Sequence, residues 1–339
     1  MNFPKHILVF RFSAMGDVAM AVPVIRALIS KYTELKITIV TRGFFTPFFR
    51  DMPNVEVFSI DTKGEHKGLL GLYKLSNELK KLKFDAIADI HNVLRTKILK
   101  LFLSERVVQI DKGRTEKNAL ISGRQFEQLK STHQRYIYVF DQLGYPVEMS
   151  QPTFPEKIIL NTKLKSFISN SELSLIGLAP FAAHKGKMYP LDKMRKVITA
   201  LSQHYSIILF GGGHNETEIL NSIENEFDNV TSVAGRLSLD EELDIISNLD
   251  VMISMDSGNG HIAAMLGVKV ITIWGVTHPF AGFTPFNQPE KHQLTADRNQ
   301  YPKIPTSIYG NTFPKGYENA AGSVSVKQIV DKVESVLAS

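Results

Sequence analysis

The stretch "HILVFRFSAMGDVAMAVPVIRALISKY", residues 6–32, decides the fold. It opens with a continuous apolar run, "HILVF" (6–10), passes a short turn, "RFSAMGD" (11–17), and enters an apolar helical pattern over 17–32. A run that is apolar at every position suits a strand covered on both faces, as in the parallel sheets of α/β proteins. Ser13, Ala14 and Gly16 let the backbone of the turn approach a ligand closely. Asp17 falls at or near the helix N-cap, where two readings stand together. It is a cap for helix amides, or a carboxylate placed to take a proton from a hydroxyl. The turn lacks G-x-G-x-x-G, so no dinucleotide fingerprint is present there.

The same plan recurs outward along the chain. Further strand-like runs are "KITIV" (36–40), "VEVFSI" (55–60), "FDAIADI" (84–90), "RVVQI" (106–110), "LSLIGLA" (173–179), "SIILFG" (206–211), "NVTSVAG" (229–235), "DVMISM" (250–255) and "KVITIWG" (269–275). Helical patterns lie over 69–82, 92–103, 192–204, 216–227, 239–248 and 259–266. Alternation of strand and helix predicts α/β architecture with right-handed crossovers. The proline-rich segment "GYPVEMSQPTFPEK" (144–157) reads as a linker between two similar halves without a residue-level repeat. The expected layout is two doubly wound domains, 1–155 and 156–322, facing a central cleft, followed by a terminal helix in 323–339 with Ser325 as N-cap.

Composition narrows the function classes. A chain of 339 residues, 43% hydrophobic and 22% charged, can bury two cores. There is no cysteine, which excludes disulfides, thiolate metal sites and a cysteine nucleophile. No stretch reaches the roughly 18 apolar residues of a membrane span, and the start resembles no signal peptide, so a cytoplasmic protein is expected. Net charge is +5, from 39 basic and 34 acidic residues. The basic residues are dispersed and lack aromatic interleaving, so nucleic acid is not an expected partner. "YKLSNELKKLK" (73–83) and "LRTKILKLFL" (94–103) mix lysines with apolar residues at helical spacing. They read as helices packed on the sheet, or as a docking face for an anionic inner leaflet.

Ligands of open α/β sheets bind beyond the carboxyl ends of the strands. The loop "APFAAHKGKMYP" (179–190) carries Lys185 and Lys187, a candidate diphosphate clamp or a solvated basic loop. "FGGGHNETE" (210–218) holds Glu216, which could accept from ribose hydroxyls or complement its own helix dipole. "SMDSGNGHIAAMLGVKVITIWG" (254–275) places Asp256 at a strand end, then Ser257, Gly258, Asn259, Gly260 and His261 at a helix start, where backbone N–H groups form an anion site.

Four stretches in this order resemble glycosyltransferase family 9, the bacterial lipopolysaccharide heptosyltransferases: "RFSAMGDVAMAVPVIRAL", "DIHNVLRTKIL", "KMYP" and "DSGNGHIAAMLGVKVITIWGVT". The resemblance covers most of the chain. It implies a GT-B fold and an inverting, metal-independent transfer that needs no cofactor. It implies Asp17 as general base, with Lys187 and the amides of residues 257–261 neutralising the departing diphosphate. Lys185 belongs with that donor loop; Glu216 is expected at the nucleotide ribose and Asp256 at the donor sugar. The small Ser13 and Gly16 would admit the acceptor, and Lys63, Arg95, Lys97 and Arg114 are expected at its anionic groups. The implied partners are a nucleotide-diphosphate sugar, by default ADP-heptose, and an anionic glycolipid at the inner membrane surface, met by a monomer. The sequence departs from the family pattern at His91, where glutamine is usual, at Ala182 and Ala183, at Tyr189 and at Val276. These touch pocket walls and leave another nucleotide sugar open. A binding protein without turnover is the alternative from another class; retained Asp17 and Lys187 weigh against it. A nicotinamide-dependent dehydrogenase or epimerase is disfavoured by the missing fingerprint.

Overall fold

A computed structural model describes residues 3–168 and 172–339. The chain forms two compact units, one of residues 1–112 with 132–153, the other of 113–131 with 154–339. The elements run β1 (His6–Phe10), α1 (Met15–Lys31), β2 (Lys36–Thr41), β3 (Val55–Ser59), α2 (Gly68–Lys80), β4 (Ala86–Asp89), α3 (Leu94–Lys100), β5 (Arg106–Gln109), α4 (Arg114–Ile121) and α5 (Thr132–Gln142). They continue with α6 (Thr162–Lys165), β6 (Leu175–Ala179), α7 (Leu191–Leu201), β7 (Ser206–Leu209), α8 (His214–Glu224), β8 (Val230–Ser232), α9 (Leu239–Ser247), β9 (Val251–Met255), α10 (Gly258–Met265), β10 (Lys269–Trp274), β11 (Gln293–Thr295) and α11 (Val326–Leu337).

The first unit carries a five-stranded sheet in the order β3-β2-β1-β4-β5, and every pair in it is parallel. Central β1 and β4 are buried along their whole length, as their unbroken apolar runs require. β3 and β5 stand at the edges and are only partly covered. Leu72, Leu75 and Leu79 of α2 meet Leu99 and Leu103 over Leu8, Phe10 and Ile87 of the sheet. Helices α1 and α5 pack together, and the Tyr136 hydroxyl donates to the Asp17 backbone carbonyl at 3.3 Å.

The second unit has a six-stranded parallel sheet, β11-β10-β9-β6-β7-β8. Its core joins Ile176, Ile207, Ile253 and Ile271 to Met194, Val197 and Ile198 of α7 and to Ile329 and Val333 of α11. Helix α11 starts at Ser325, whose hydroxyl accepts from the Gln328 amide at 3.2 Å, so the expected cap is present. Segment 113–131 follows β5 in the chain yet packs within this unit. Leu120 and Leu129 cluster with Ala281, and the Leu129 amide donates to the Phe280 carbonyl at 2.9 Å. Arg114, read from sequence with residues 1–155, therefore belongs to the second unit.

Each strand order reverses direction once, between β1 and β4 in the first sheet and between β6 and β9 in the second. At such a switch point neighbouring loops leave the sheet toward opposite faces and open a crevice beyond the strand ends. Those two places are where ligand-facing residues are sought.

Candidate active-site residues

In the first unit the switch point is bridged by Arg11. Its guanidinium, 8% exposed in the side chain, donates to the Ile90 carbonyl after β4 at 2.9 Å and forms an ion pair with Asp17 Oδ2. Asp17 is the third residue of α1, not its cap; the cap is Ala14, whose amide donates to Asp17 Oδ2 at 3.4 Å. The carboxylate thus braces the first turn and is also 28% exposed. The cap reading is therefore corrected: the cap lies three residues earlier, and Asp17 supports it from inside the helix. Ser13 and Gly16 flank it and are half-buried.

The loop after β4 is built by Asp89. Its Oδ1 accepts from the amides of His91 at 3.1 Å and Asn92 at 2.7 Å, while Lys100 Nζ lies 2.6 Å from Oδ2. Asn92 takes a left-handed φ of 43°, and its side chain donates to Ile110 O at 2.9 Å. This turn buries His91 against the edge of Phe12, ring centres 5.4 Å apart. Burial, then the charges of Arg11 and Lys112, push the His91 imidazole down to about 3, so it is neutral near pH 7. Lys63, Arg95 and Lys97 are exposed in the same unit, in the loop before α2 and on α3. Arg114 is exposed on α4 in the other unit.

In the second unit the crevice is bridged by Lys187, whose Nζ lies 2.8 Å from Asp256 Oδ2; the side chains are 15% and 6% exposed. Thr277 Oγ1, after β10, donates to the same oxygen at 2.9 Å. Three loops, after β6, β9 and β10, therefore meet on one carboxylate. Glycines make this possible. The Val276 amide donates to Gly186 O at 2.8 Å, and a Cβ on Gly275 would stand 2.1 Å from that carbonyl oxygen. Gly310, at φ +76°, lies on the Lys187 stem: a Cβ there would come within 2.5 Å of Lys187 Cγ.

Asp256 directly precedes Ser257, the N-cap of α10. The Ser257 hydroxyl caps nothing and has no hydrogen-bond partner among the described residues. The first amides of α10, at Gly258, Asn259 and Gly260, carry the positive end of the helix dipole. Gly260 is also a packing residue, since its Cβ would stand 2.4 Å from Ser254 Oγ. His261 is buried in the same turn. Lys185 is exposed, two residues from Lys187. Glu216, in the first turn of α8, accepts from the Gly212 amide at 2.9 Å and so holds the glycine turn closed.

Some residues were not singled out in the sequence. Arg11 sits inside the quoted turn, but its partners come from a distant loop and from the next helix turn. Thr277 was visible only as part of "WGVT", and Gly310 gives no local signal. Among the described residues one further group, Glu65, His66 and Glu78, could offer three metal-ligand atoms. Lys74 Nζ already lies 3.0 Å from Glu65 and 3.9 Å from Glu78, and His66 Nδ1 accepts from the Asp61 amide at 3.0 Å. It is an ion-pair knot that ties the preceding loop to α2.

Two doubly wound parallel sheets, each with charged groups at its switch point, define an α/β protein of the GT-B type. Residues 72–315 match the model of glycosyltransferase family 9 (heptosyltransferase). The chain is 24% identical to the lipopolysaccharide core heptosyltransferase OpsX of Haemophilus influenzae, over 98% of this chain and 97% of that one. The solved family 9 glycosyl transferase of Veillonella parvula superposes with a TM-score of 0.78 at 19% identity, covering 100% of this chain and 99% of that one. The Escherichia coli heptosyltransferase WaaC, solved with ADP, gives a TM-score of 0.70 at 17% identity, covering 98% and 99%. The chain belongs to glycosyltransferase family 9 and is a glycosyltransferase. No helix among the described residues is long and apolar enough to cross a membrane.

Proposed function

We propose that the protein moves heptose from ADP-heptose to an anionic glycolipid of the lipopolysaccharide-core type, with inversion and without a divalent metal. The observation that carries this reading is the set Lys187–Asp256–Thr277, placed at the switch point beside the unpartnered Ser257 hydroxyl and the first amides of α10. A lysine fixed by a carboxylate beside a helix N-terminus is suited to a diphosphate whose charge grows as it leaves. The related WaaC was solved with ADP, a leaving group of this chemistry.

The step needs one proton acceptor and one anion stabiliser. Asp17 takes the proton from the acceptor hydroxyl as that oxygen forms its bond to the anomeric carbon. The bond from that carbon to the diphosphate breaks, and its electron pair leaves on the diphosphate oxygen. Lys187 and the α10 amides receive that charge, with Lys185 outside them at the solvent. Direct displacement inverts the anomeric carbon. Arg11 orients the Asp17 carboxylate, and Asp256, which orients Lys187, is assigned to the donor sugar. Glu216 is assigned to the ribose. Lys63, Arg95, Lys97 and Arg114 are assigned to the acidic groups of the acceptor, which a membrane surface presents.

The test is turnover of ADP-heptose with a truncated lipid core as acceptor, with EDTA present, followed by the anomeric configuration of the product. Wild-type turnover with inversion, lost in Asp17→Asn while donor binding is kept, supports the reading. Donor binding without turnover on any core acceptor favours a binding protein; turnover that EDTA abolishes refutes metal independence.

A further inference from the structure

The inner faces of α2 and α3 pack on the first sheet through Leu72, Leu75, Leu79 and Leu99. Their outer surfaces are also apolar at several points. Leu70 is 84% exposed, Leu101 81% and Leu94 74%, with Leu69 and Tyr73 also more than half exposed. Tyr73 and Phe102 meet edge to face at 5.5 Å, joining the two elements into one surface. Large exposed apolar groups gathered on one helix pair mark an interaction surface. Its charges are mainly basic, with Asp61 turned to the amides of its own loop. Glu65 and Glu78 are both engaged by Lys74. Among the described residues no ion pair joins Lys63, Lys67 or Lys97 to an acid.

We infer that this face docks on an anionic lipid bilayer. The leucine tips enter the boundary of the acyl chains, and the lysines stay at the headgroup level, where their long stems reach. A second copy of the chain is the poorer fit, because a two-fold contact would set these lysines against their own equivalents. The α2 and α3 N-termini lie beyond the carboxyl ends of the strands, the end of the sheet that also carries Asp17. Docking there would bring the proposed base to the surface that holds a lipid-linked acceptor. The inference deepens the proposed function but does not depend on turnover for its proof.

The experiment is co-sedimentation with vesicles of phosphatidylethanolamine and phosphatidylglycerol, against vesicles of phosphatidylcholine, over a salt series. Wild type is expected to partition onto the anionic vesicles and to come off as salt rises. Lys67→Glu should weaken partition by about tenfold and flatten the salt dependence. The pair Leu70→Ser and Leu101→Ser should weaken it by about tenfold or more. Turnover of a delipidated soluble acceptor, and the melting temperature, should be unchanged in all of them. Equal binding to phosphatidylcholine, or partition indifferent to both variants, overturns the inference. So does concentration-dependent self-association that the leucine variants remove, which would give the face to a second copy. Vesicle binding without any turnover of ADP-heptose would leave this surface standing and refute the proposed function alone.

Discussion

Replacing Lys187 by Met tests the ion pair at the heart of the second unit. Met keeps most of the stem that lies on Gly310 and removes the charge. At 2.8 Å the gross attraction of Lys187 and Asp256 is about 6 kcal/mol at an effective dielectric near 20. Desolvation offsets most of that, so the pair itself adds little net stability. Breaking it is different, because the Asp256 carboxylate then stays 6% exposed with only the Thr277 hydroxyl to hold it. Orphaned buried charges cost roughly 3–5 kcal/mol, and partial exposure of Lys187 lowers this to about 2–4. For a unit of this size that is a fall in melting temperature of roughly 5–15 °C. Lys187→Met with Asp256→Asn removes both charges and should regain most of the loss. Activity should behave otherwise: kcat/KM falls by about 100-fold or more in Lys187→Met and stays low in the double variant. The assay is thermal unfolding of donor-free protein for the four members of the cycle, beside ADP-heptose turnover. A double variant as unstable as the two losses added would refute the coupling. Full turnover in Lys187→Met would refute the role of the charge.

His91 is neutral in the fold because burial, Arg11 and Lys112 hold it at about 3, against about 6.5 when unfolded. Its contribution is thus present above pH about 6.5 and is lost, by at most about 1.4 kcal/mol per unit, as pH falls toward 3. His91→Gln should flatten the drop in melting temperature of the first unit over that window; an unchanged slope would show that His91 is not the group responsible. Glu242, half-buried at the start of α9, is pushed up to about 7 by burial. A raised carboxyl stabilises below its unfolded value near 4.5 and loses that stability as pH rises through 7, so Glu242→Gln should stabilise the second unit at pH 8 by about 1–3 kcal/mol. Measured melting at pH 8 and pH 4 checks the sign. Gly275→Ala sets a Cβ 2.1 Å from the Gly186 carbonyl oxygen; overpacking against backbone should cost about 3 kcal/mol and reduce donor affinity with it, as a calorimetric titration with ADP would read.

The strands were legible because the central ones are buried on both faces, which leaves an unbroken apolar run in the sequence. "HILVF" matches its strand, and "KVITIWG" runs one residue past the end of its strand. β11 escaped because "QLT" has no apolar run; it exists by pairing with the edge of β10. Helix α5, "THQRYIYVFDQ", hid its period because Thr132, His133 and Arg135 are buried beside Tyr136, Val139 and Phe140. Chain order said nothing of where 113–131 would pack, since its partners, Phe280 and Phe283, lie some 150 residues on. At the sites, residue types and positions at strand ends were readable. The partnerships were not: Arg11 with Asp17 is a choice among many bases, and Thr277 with Asp256 needs the register of β9 against β10.

The two units solve one electrostatic problem with opposite signs. In the first, the deeper member of the pair is cationic, Arg11 at 8%, and the more exposed one is Asp17 at 28%. In the second, the deeper member is Asp256 at 6%, and the more exposed one is Lys187 at 15%. In both cases the buried partner spans the switch point or sits at its edge and is held by further hydrogen bonds, to Ile90 O for Arg11 and from Thr277 for Asp256. A reacting charge carried alone on a loop would swing freely in water. Held by a fixed counter-charge beneath it, it keeps one direction without a change of shape during the reaction, which is the condition for electrostatic catalysis. The arrangement also divides the labour that displacement demands. In the proposed transfer the anion would take the hydroxyl proton and the cation would receive the leaving phosphate. The two units thus present charges of opposite sign at their switch points, which is what the proposed transfer requires.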